Sequence, residues 1–314
     1  MVLRSPAMDD GRRDRARGAL LGLACGDAVG TTVEFQPPGS FEPVTDLVGG
    51  GPFGLRPGEW TDDTSMALCL AESIVETGGL DPDDQLRRYV RWRAEGHLSS
   101  NGRCFDIGTT IDAALRRFLR TGEVADAVPD QDKAANGSLM RLAPVPIAWH
   151  RDAAVAAARS GESSRTTHAA DRPVDACRAM GATVGALVAG TSWEEATAPG
   201  SWRRGELHPE VAAVVAGSFR GKEPPAIRGT GFCIDALEAA LWAVDGADGY
   251  RDAILRATNL GDDADTTAAI AGQLAGARWG ASGIPEEWRA TVVQRELIES
   301  FADRLLDLDL AAAS

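Results

Sequence analysis

Two short acidic clusters, Trp60-Thr61-Asp62-Asp63-Thr64 and Gly261-Asp262-Asp263-Ala264-Asp265-Thr266, are the residues of this chain whose types and spacing could do chemistry. Each sets carboxylates beside threonine hydroxyls. Each is followed directly by an apolar run of helical period, so both can present oxygen donors from the start of a helix. Oxygen donors without His or Cys suit Mg2+ or Mn2+. The plain alternative is helix capping, in which an Asp or Thr at the first turn satisfies free backbone N–H groups and favours the positive end of the helix dipole. One acidic residue is enough for that, whereas Asp62 and Asp63 are adjacent and repel one another. The run behind them, Met66-Ala67-Leu68-Cys69-Leu70, is apolar nearly all round, and two carboxylates at the mouth of a buried helix are expensive without a counter-charge. Asp262, Asp263 and Asp265 likewise exceed what a cap needs. If the fold brings the clusters together, oxygens from both complete a binuclear metal site of the kind used in two-metal hydrolysis.

The elements that must position these clusters read as helices almost throughout. Apolar spacing is helical, alanine-rich runs are frequent and β-branched clusters are few. The pattern predicts an all-α protein with helices over 12–29, 64–77, 82–95, 106–120, 137–149, 151–159, 171–189, 208–217, 231–245, 248–257, 265–278 and 285–308. No Pro/Gly/Ser-rich linker and no fixed-period repeat divides the chain, so a single domain is expected over 11–314 behind a disordered N-terminus over 1–10. The glycine-rich segment 34–59, which contains Gly49-Gly50-Gly51-Pro52 and Arg56-Pro57-Gly58 and runs into Thr61, is a candidate lid. Residues 191–206 and 218–230 are the other irregular stretches.

The first predicted helix carries Gly18, Gly22, Gly26 and Gly30. Glycine in a helix costs about 1 kcal/mol relative to alanine, so this spacing implies close backbone contact with a neighbour. Asp27 in the same run is expected to be buried and hydrogen-bonded. Glu34, just past it, opens the candidate lid.

The balance of 46 acidic against 32 basic side chains gives a formal charge of −14. That charge repels phosphate backbones and anionic membranes, which argues against non-specific nucleic-acid binding. Bound dications would invert the field locally and admit an anionic ligand. The five cysteines, Cys25, Cys69, Cys104, Cys177 and Cys233, are scattered without a CxxC pair and read as reduced core residues. The N-terminus lacks the apolar core of a signal peptide, and no stretch approaches the ~20 apolar residues of a membrane helix. A soluble, cytoplasmic, monomeric protein is expected.

Three further constellations carry weaker signals. Asp106-Ile107-Gly108-Thr109-Thr110 opens an amphipathic helix, where Asp106 could act as a cap. Asn136-Gly137-Ser138-Leu139-Met140-Arg141 is a glycine-containing turn of the kind that offers backbone N–H groups to phosphate. His168 stands alone in Thr166-Thr167-His168, and a lone histidine is more often a structural hydrogen-bonding residue than a ligand or base.

In order and spacing, Gly22 to Gly30, Trp60 to Thr64 and Gly261 to Thr266 resemble the motifs of the ADP-ribosylglycohydrolase family, whose bacterial members include dinitrogenase reductase-activating glycohydrolase; the likeness runs from Gly18 to about Gly280. The resemblance implies a compact, orthogonal, all-α multi-helix bundle holding two Mg2+ or Mn2+ ions. Thr61, Asp62 and Asp63 would ligate from one side and Asp263, Asp265 and Thr266 from the other. Asp262, at a position often glycine in relatives, would stand just outside. Glu34 matches the lid glutamate of the family, and Glu34, Asp106 and Asp62 become the candidate catalytic groups. Asp106, Ile107, Gly108, Asn136, Gly137, Ser138, Met140 and His168 match segments around ADP-ribose. Phe232, in Gly229-Thr230-Gly231-Phe232, matches a loop near the adenine or target side and lacks the hydroxyl of the tyrosine found in some bacterial relatives. The implied activity is removal of mono-ADP-ribose from a modified protein, foremost from arginine, by cleavage at C1″ with ADP-ribose as product. A hydrolase of serine, nucleobase or small-molecule conjugates, or an ADP-ribose-binding protein without turnover, remain as alternatives.

Overall fold

Helical periodicity becomes helix at most of the places where it was read. The computed structural model describes residues 6–202, 205–308 and 310. Its helices are α1 (Pro6–Gly30), α2 (Asp62–Thr77), α3 (Pro82–Glu95), α4 (Thr109–Thr121), α5 (Pro144–Ala148), α6 (Ala153–Arg165) and α7 (Asp171–Ala189). They continue with α8 (Trp193–Ala196), α9 (Pro209–Val215), α10 (Cys233–Asp245), α11 (Tyr250–Thr258), α12 (Ala264–Trp279), α13 (Glu286–Thr291) and α14 (Arg295–Asp307). Among the described residues there is no strand beyond two isolated bridges, Gly50 with Leu55 and Ala135 with Phe232. The fold is all-α, as expected. Among the described residues no helix is long and apolar enough to cross a membrane.

Packing is organised around α1 and α12, which lie against each other along their length. Gly18, Gly22, Gly26 and Gly30 of α1 form one face at four-residue spacing. A Cβ added at Gly18, Gly22 or Gly26 would come within 2.2, 2.4 and 2.2 Å of the carbonyl oxygens of Gly276, Gly272 and Ala268, and at Gly30 within 2.4 Å of the Asp265 Cα. The two backbones therefore touch with no side chain between them. Every residue of α12 from Ala264 to Ala277 is buried, as befits a helix apolar on all sides. Tyr250 of α11 donates its hydroxyl to the Gly22 carbonyl at 2.6 Å, using backbone that the missing side chain leaves open. By contrast α4 is one-sided: Ile111, Ala114, Leu115 and Phe118 face the core at spacings of three and four.

Several boundaries differ from those read in the sequence, each for a local reason. Residues 1–5 of the expected disordered N-terminus lie outside the described residues, and from Pro6 the chain is already in α1. The helix expected over 137–149 shrinks to α5. Residues 137–143 form turns in which the Leu139 and Met140 N–H groups both donate to the Asn136 carbonyl (2.8 and 3.2 Å). The buried Gln273 amide of α12 holds the Leu139 and Met140 carbonyls at 3.1 and 2.7 Å, which replaces helical bonding. The helix expected over 106–120 starts at Thr109, capped by Gly108. The one expected over 285–308 breaks into α13 and α14, because Gln294 adopts φ +56° and the Val293 N–H donates to the Gly58 carbonyl at 3.0 Å. α8, in the stretch read as irregular, is set by a capping box between Ser192 and Glu195.

The candidate lid, 34–59, is irregular as read but tied down. Asn259 exchanges bonds with both the N–H and the carbonyl of Val44 (2.8 and 3.0 Å), Trp288 Nε1 donates to Asp46, and Thr32 Oγ1 donates to Gly49 O at 3.1 Å. All five cysteines are free thiols, four of them buried and Cys104 half-buried.

Candidate active site

Three helix ends converge to build the site. The N-termini of α2 and α12 and the C-terminal end of α1 meet because the glycine seam brings Gly30 onto Asp265. Asp27, one turn before the end of α1, supplies the cap of α2 from a different helix. Its Oδ1 accepts from the Thr61 N–H and hydroxyl (2.9 Å each), and its Oδ2 from the Thr64 N–H and hydroxyl (3.1 and 2.6 Å). This is the buried structural role expected for Asp27. It also takes the Thr64 N–H in the first turn of α2, so neither Asp62 nor Asp63 is needed to satisfy that donor.

The freed carboxylates gather with the second cluster. Oxygens of Asp27, Asp63 and Asp265 lie within 4.8 Å of one another, and so do oxygens of Glu34, Asp106 and Asp265, so the two groups share Asp265. Asp63 Oδ1 and Glu34 Oε2 are buried without a hydrogen-bond partner. The Thr61 hydroxyl has one proton yet faces three carboxylate oxygens, those of Asp27 at 2.9 Å, Asp63 at 3.1 Å and Asp265 at 3.4 Å. An all-oxygen donor set with more acceptors than protons fits a hard divalent cation. Asp263 sits half-buried beside them, its Oδ2 held by the Asn136 amide at 2.7 Å, and Thr266 is buried in the same wall.

Burial with few donors pushes these acids toward the protonated form. Burial first, then Asp106, raises Glu34 to about 9. Burial, then Asp27 and Asp263, raises Asp106 to about 7. Asp27 rises to about 6, its burial offset by the Thr64 and Thr61 bonds. Asp62, Asp63 and Asp265 stand well above the usual carboxylate range, again through burial and then the neighbouring acids Asp106, Asp27 and Glu34 respectively. His168 moves the other way, to about 3, because it is buried and faces the Arg141 charge. Its Nδ1 pairs with Thr167 Oγ1 at 2.8 Å, so it is a neutral ring at neutral pH.

The acidic cluster opens into a cavity of about 520 Å³. Glu34, Asp62, Asp106, Asp263 and Thr266 form its acidic wall, and Gly108, Asn136, Gly137, Met140 and His168 line it elsewhere. Asp106 lies before α4 with φ +59°, outside any capping position, and its side chain meets Glu34. Asp262 lines the cavity with φ +53°, a left-handed conformation that glycine adopts more freely than other residues. Ile107, Ser138 and Phe232 stand back from the cavity. Ser138 Oγ accepts from Ser164 and Cys177 behind the wall (2.9 and 3.3 Å), while Ile107 and Phe232 pack on the core. Phe35, Thr109, Thr110, Thr230 and Gly231 also line the cavity; the four besides Phe35 stand in motifs quoted from the sequence but were not named there as site residues. Proximity to Glu34 and Gly108 was the available signal for the first three. The other two are delivered by the bridge between Ala135 and Phe232.

The chain matches the ADP-ribosylglycohydrolase family over residues 8–313. It is 46% identical over 292 residues to the ADP-ribosylarginine hydrolase Tri1 of Serratia proteamaculans, covering 93% of this chain and 79% of that protein. It is 33% identical over 306 residues to the ADP-ribosyl-[dinitrogen reductase] glycohydrolase of Rhodospirillum rubrum, covering 94% and 96%. A solved ADP-ribosylglycohydrolase-related protein complex superposes with a TM-score of 0.83 at 38% identity, over 96% of this chain and 100% of that one. Match, identity and fold agree with the acidic cavity, and the chain belongs to the ADP-ribosylglycohydrolase family.

Proposed function

We propose that this protein is a metal-dependent hydrolase that releases mono-ADP-ribose from arginine side chains of modified proteins by breaking the glycosidic bond at ribose C1″. The observation that carries the reading is the pair of carboxylate groups joined at Asp265 and opening into the cavity. The names of the relatives support arginine as the target. Action in the cytoplasm as a monomer belongs to the same proposal.

Thr61, Asp62, Asp63, Asp263, Asp265 and Thr266 would hold two divalent cations, Mg2+ or Mn2+. Such ions, when bound, supply positive charge and orient hydroxyls and water near the anomeric carbon. Asn136 holds Asp263 in place for this task through its 2.7 Å bond. Without a metal, burial and the neighbouring acids favour a proton on the adjacent Glu34 and Asp106 pair. The protonated carboxyl can donate to the departing guanidine nitrogen, and the ionised one can accept from the attacking water. Across the cavity, Gly108, Thr109 and Thr110 place the N-terminus of α4, whose first-turn N–H groups suit the diphosphate. The nearby Gly137 N–H adds to this wall, and the neutral His168 ring beneath it brings no second cation.

Hydrolysis of an ADP-ribosylarginine substrate, with and without EDTA and with Mg2+ or Mn2+ restored, tests the reading. Full activity after complete metal removal would sink it. Asp62→Ala and Asp63→Ala are each expected to lose more than the roughly 10- to 100-fold that follows loss of an outer-shell partner, with the helical circular dichroism retained.

A further inference from the structure

The acidic wall and the α4 terminus account for ribose and diphosphate but leave the arginine without a seat. Phe35 directly follows Glu34 and lines the same cavity. It is 64% exposed and adopts φ +63°, a conformation that bulky residues rarely take. Its N–H donates to the Asp262 carbonyl at 2.7 Å, and the Asp262 N–H returns a bond to the Gln36 carbonyl at 2.8 Å. The backbone is thereby fixed with the ring facing solvent. Phe53, from the segment read as a lid, packs edge to face with Phe35, centroids 6.5 Å apart at 74°, and leans on Phe105 at 5.2 Å. Phe105 directly precedes Asp106. A strained, exposed aromatic ring propped from behind at the rim of a carboxylate cavity contributes little to core packing.

The departing group in the proposed reaction is a planar cation. Guanidinium groups stack on aromatic faces while pairing with carboxylates. The protein already uses this contact internally, with Arg141 over Tyr89 at 4.7 Å and Arg256 over Trp242 at 4.2 Å. We propose that Phe35, buttressed by Phe53, is the platform on which the guanidinium of the modified arginine stacks beside Glu34 and Asp106, and that it sets the preference for arginine. The inference rests on the arginine reading given above and deepens it.

Phe35→Leu removes the π face at similar bulk, whereas Phe35→Trp keeps it. The metal-loaded variants are compared by KM and kcat on ADP-ribosylarginine and by calorimetric Kd for ADP-ribose, which lacks the guanidinium. Phe35→Leu is expected to raise KM roughly 3- to 30-fold with kcat and the ADP-ribose Kd little changed, and Phe35→Trp to restore KM. An unchanged KM in Phe35→Leu overturns the platform. So does a matching loss of ADP-ribose affinity, which would make the ring a general wall. A wild-type protein that cleaves ADP-ribosylserine but not ADP-ribosylarginine removes the arginine reading itself; normal wild-type arginine activity with an indifferent Phe35→Leu removes only the platform.

Discussion

Thr61 shows at a single atom what the acidic site requires: one hydroxyl proton cannot serve the three carboxylate oxygens around it. Protons or cations must make up the difference, and the raised acids show that, without a metal, protons do. Glu34 moves from an ordinary 4.5 to about 9 and Asp106 from 3.8 to about 7. Between those limits these two groups hold more protons in the folded metal-free protein than in the unfolded chain, so their contribution to stability is present at low pH and is lost as pH rises, opposed below about pH 6.5 by the neutral His168. Urea unfolding in EDTA between about pH 5 and 9 is expected to show a falling midpoint, and saturating Mg2+ to flatten the fall. A midpoint in EDTA that rises across this range contradicts the assignment. Glu34→Gln keeps the shape of the side chain but cannot be ionised. We expect kcat to drop on the order of 10²- to 10⁴-fold while calorimetry still detects ADP-ribose.

At the scale of elements, the seam between α1 and α12 is the part that places Asp27 and Asp265 correctly. Gly26→Ala would set a Cβ 2.2 Å from the Ala268 carbonyl oxygen, with backbone on both sides unable to yield. Its expected cost is at least about 2 kcal/mol by denaturant unfolding; a stability equal to wild type would mean that the helices separate more easily than this contact implies. The seam was legible because Gly18, Gly22, Gly26 and Gly30 recur on one face, and the acidic motifs because they exceed what capping needs. Less could be read where long-range bonds override local pattern. The Gln273 amide, over a hundred residues away, converts the expected helix at 137–143 into turns. Gly108 rather than Asp106 caps α4, which only the backbone at Asp106 reveals. That Asp27 caps another helix is a tertiary fact with no signal in its own neighbourhood.

Taken as a whole, the molecule hides much of its charge. Asp27, Glu34, Asp62, Asp63, Asp106, Asp263 and Asp265, seven of the 46 acidic side chains, gather at one site, where Glu34, Asp62, Asp106 and Asp263 line the cavity. The outer surface is correspondingly milder toward an anionic ligand than composition suggests. Cation binding that joins the ends of α1, α2 and α12 should stabilise the entire fold. At a metal concentration of 100 times Kd the gain is about 2.7 kcal/mol, read as a rise in Tm of several degrees over the EDTA-treated protein. Identical Tm values with and without metal would separate the ions from the fold. The seam has a further consequence for anyone reading this sequence through selection. In a scan scored by activity, Gly18, Gly22, Gly26, Gly272 and Gly276 would look as indispensable as the acids, although they touch no substrate. Only a parallel score of protein abundance would distinguish the residues that perform the reaction from those that merely let two backbones meet.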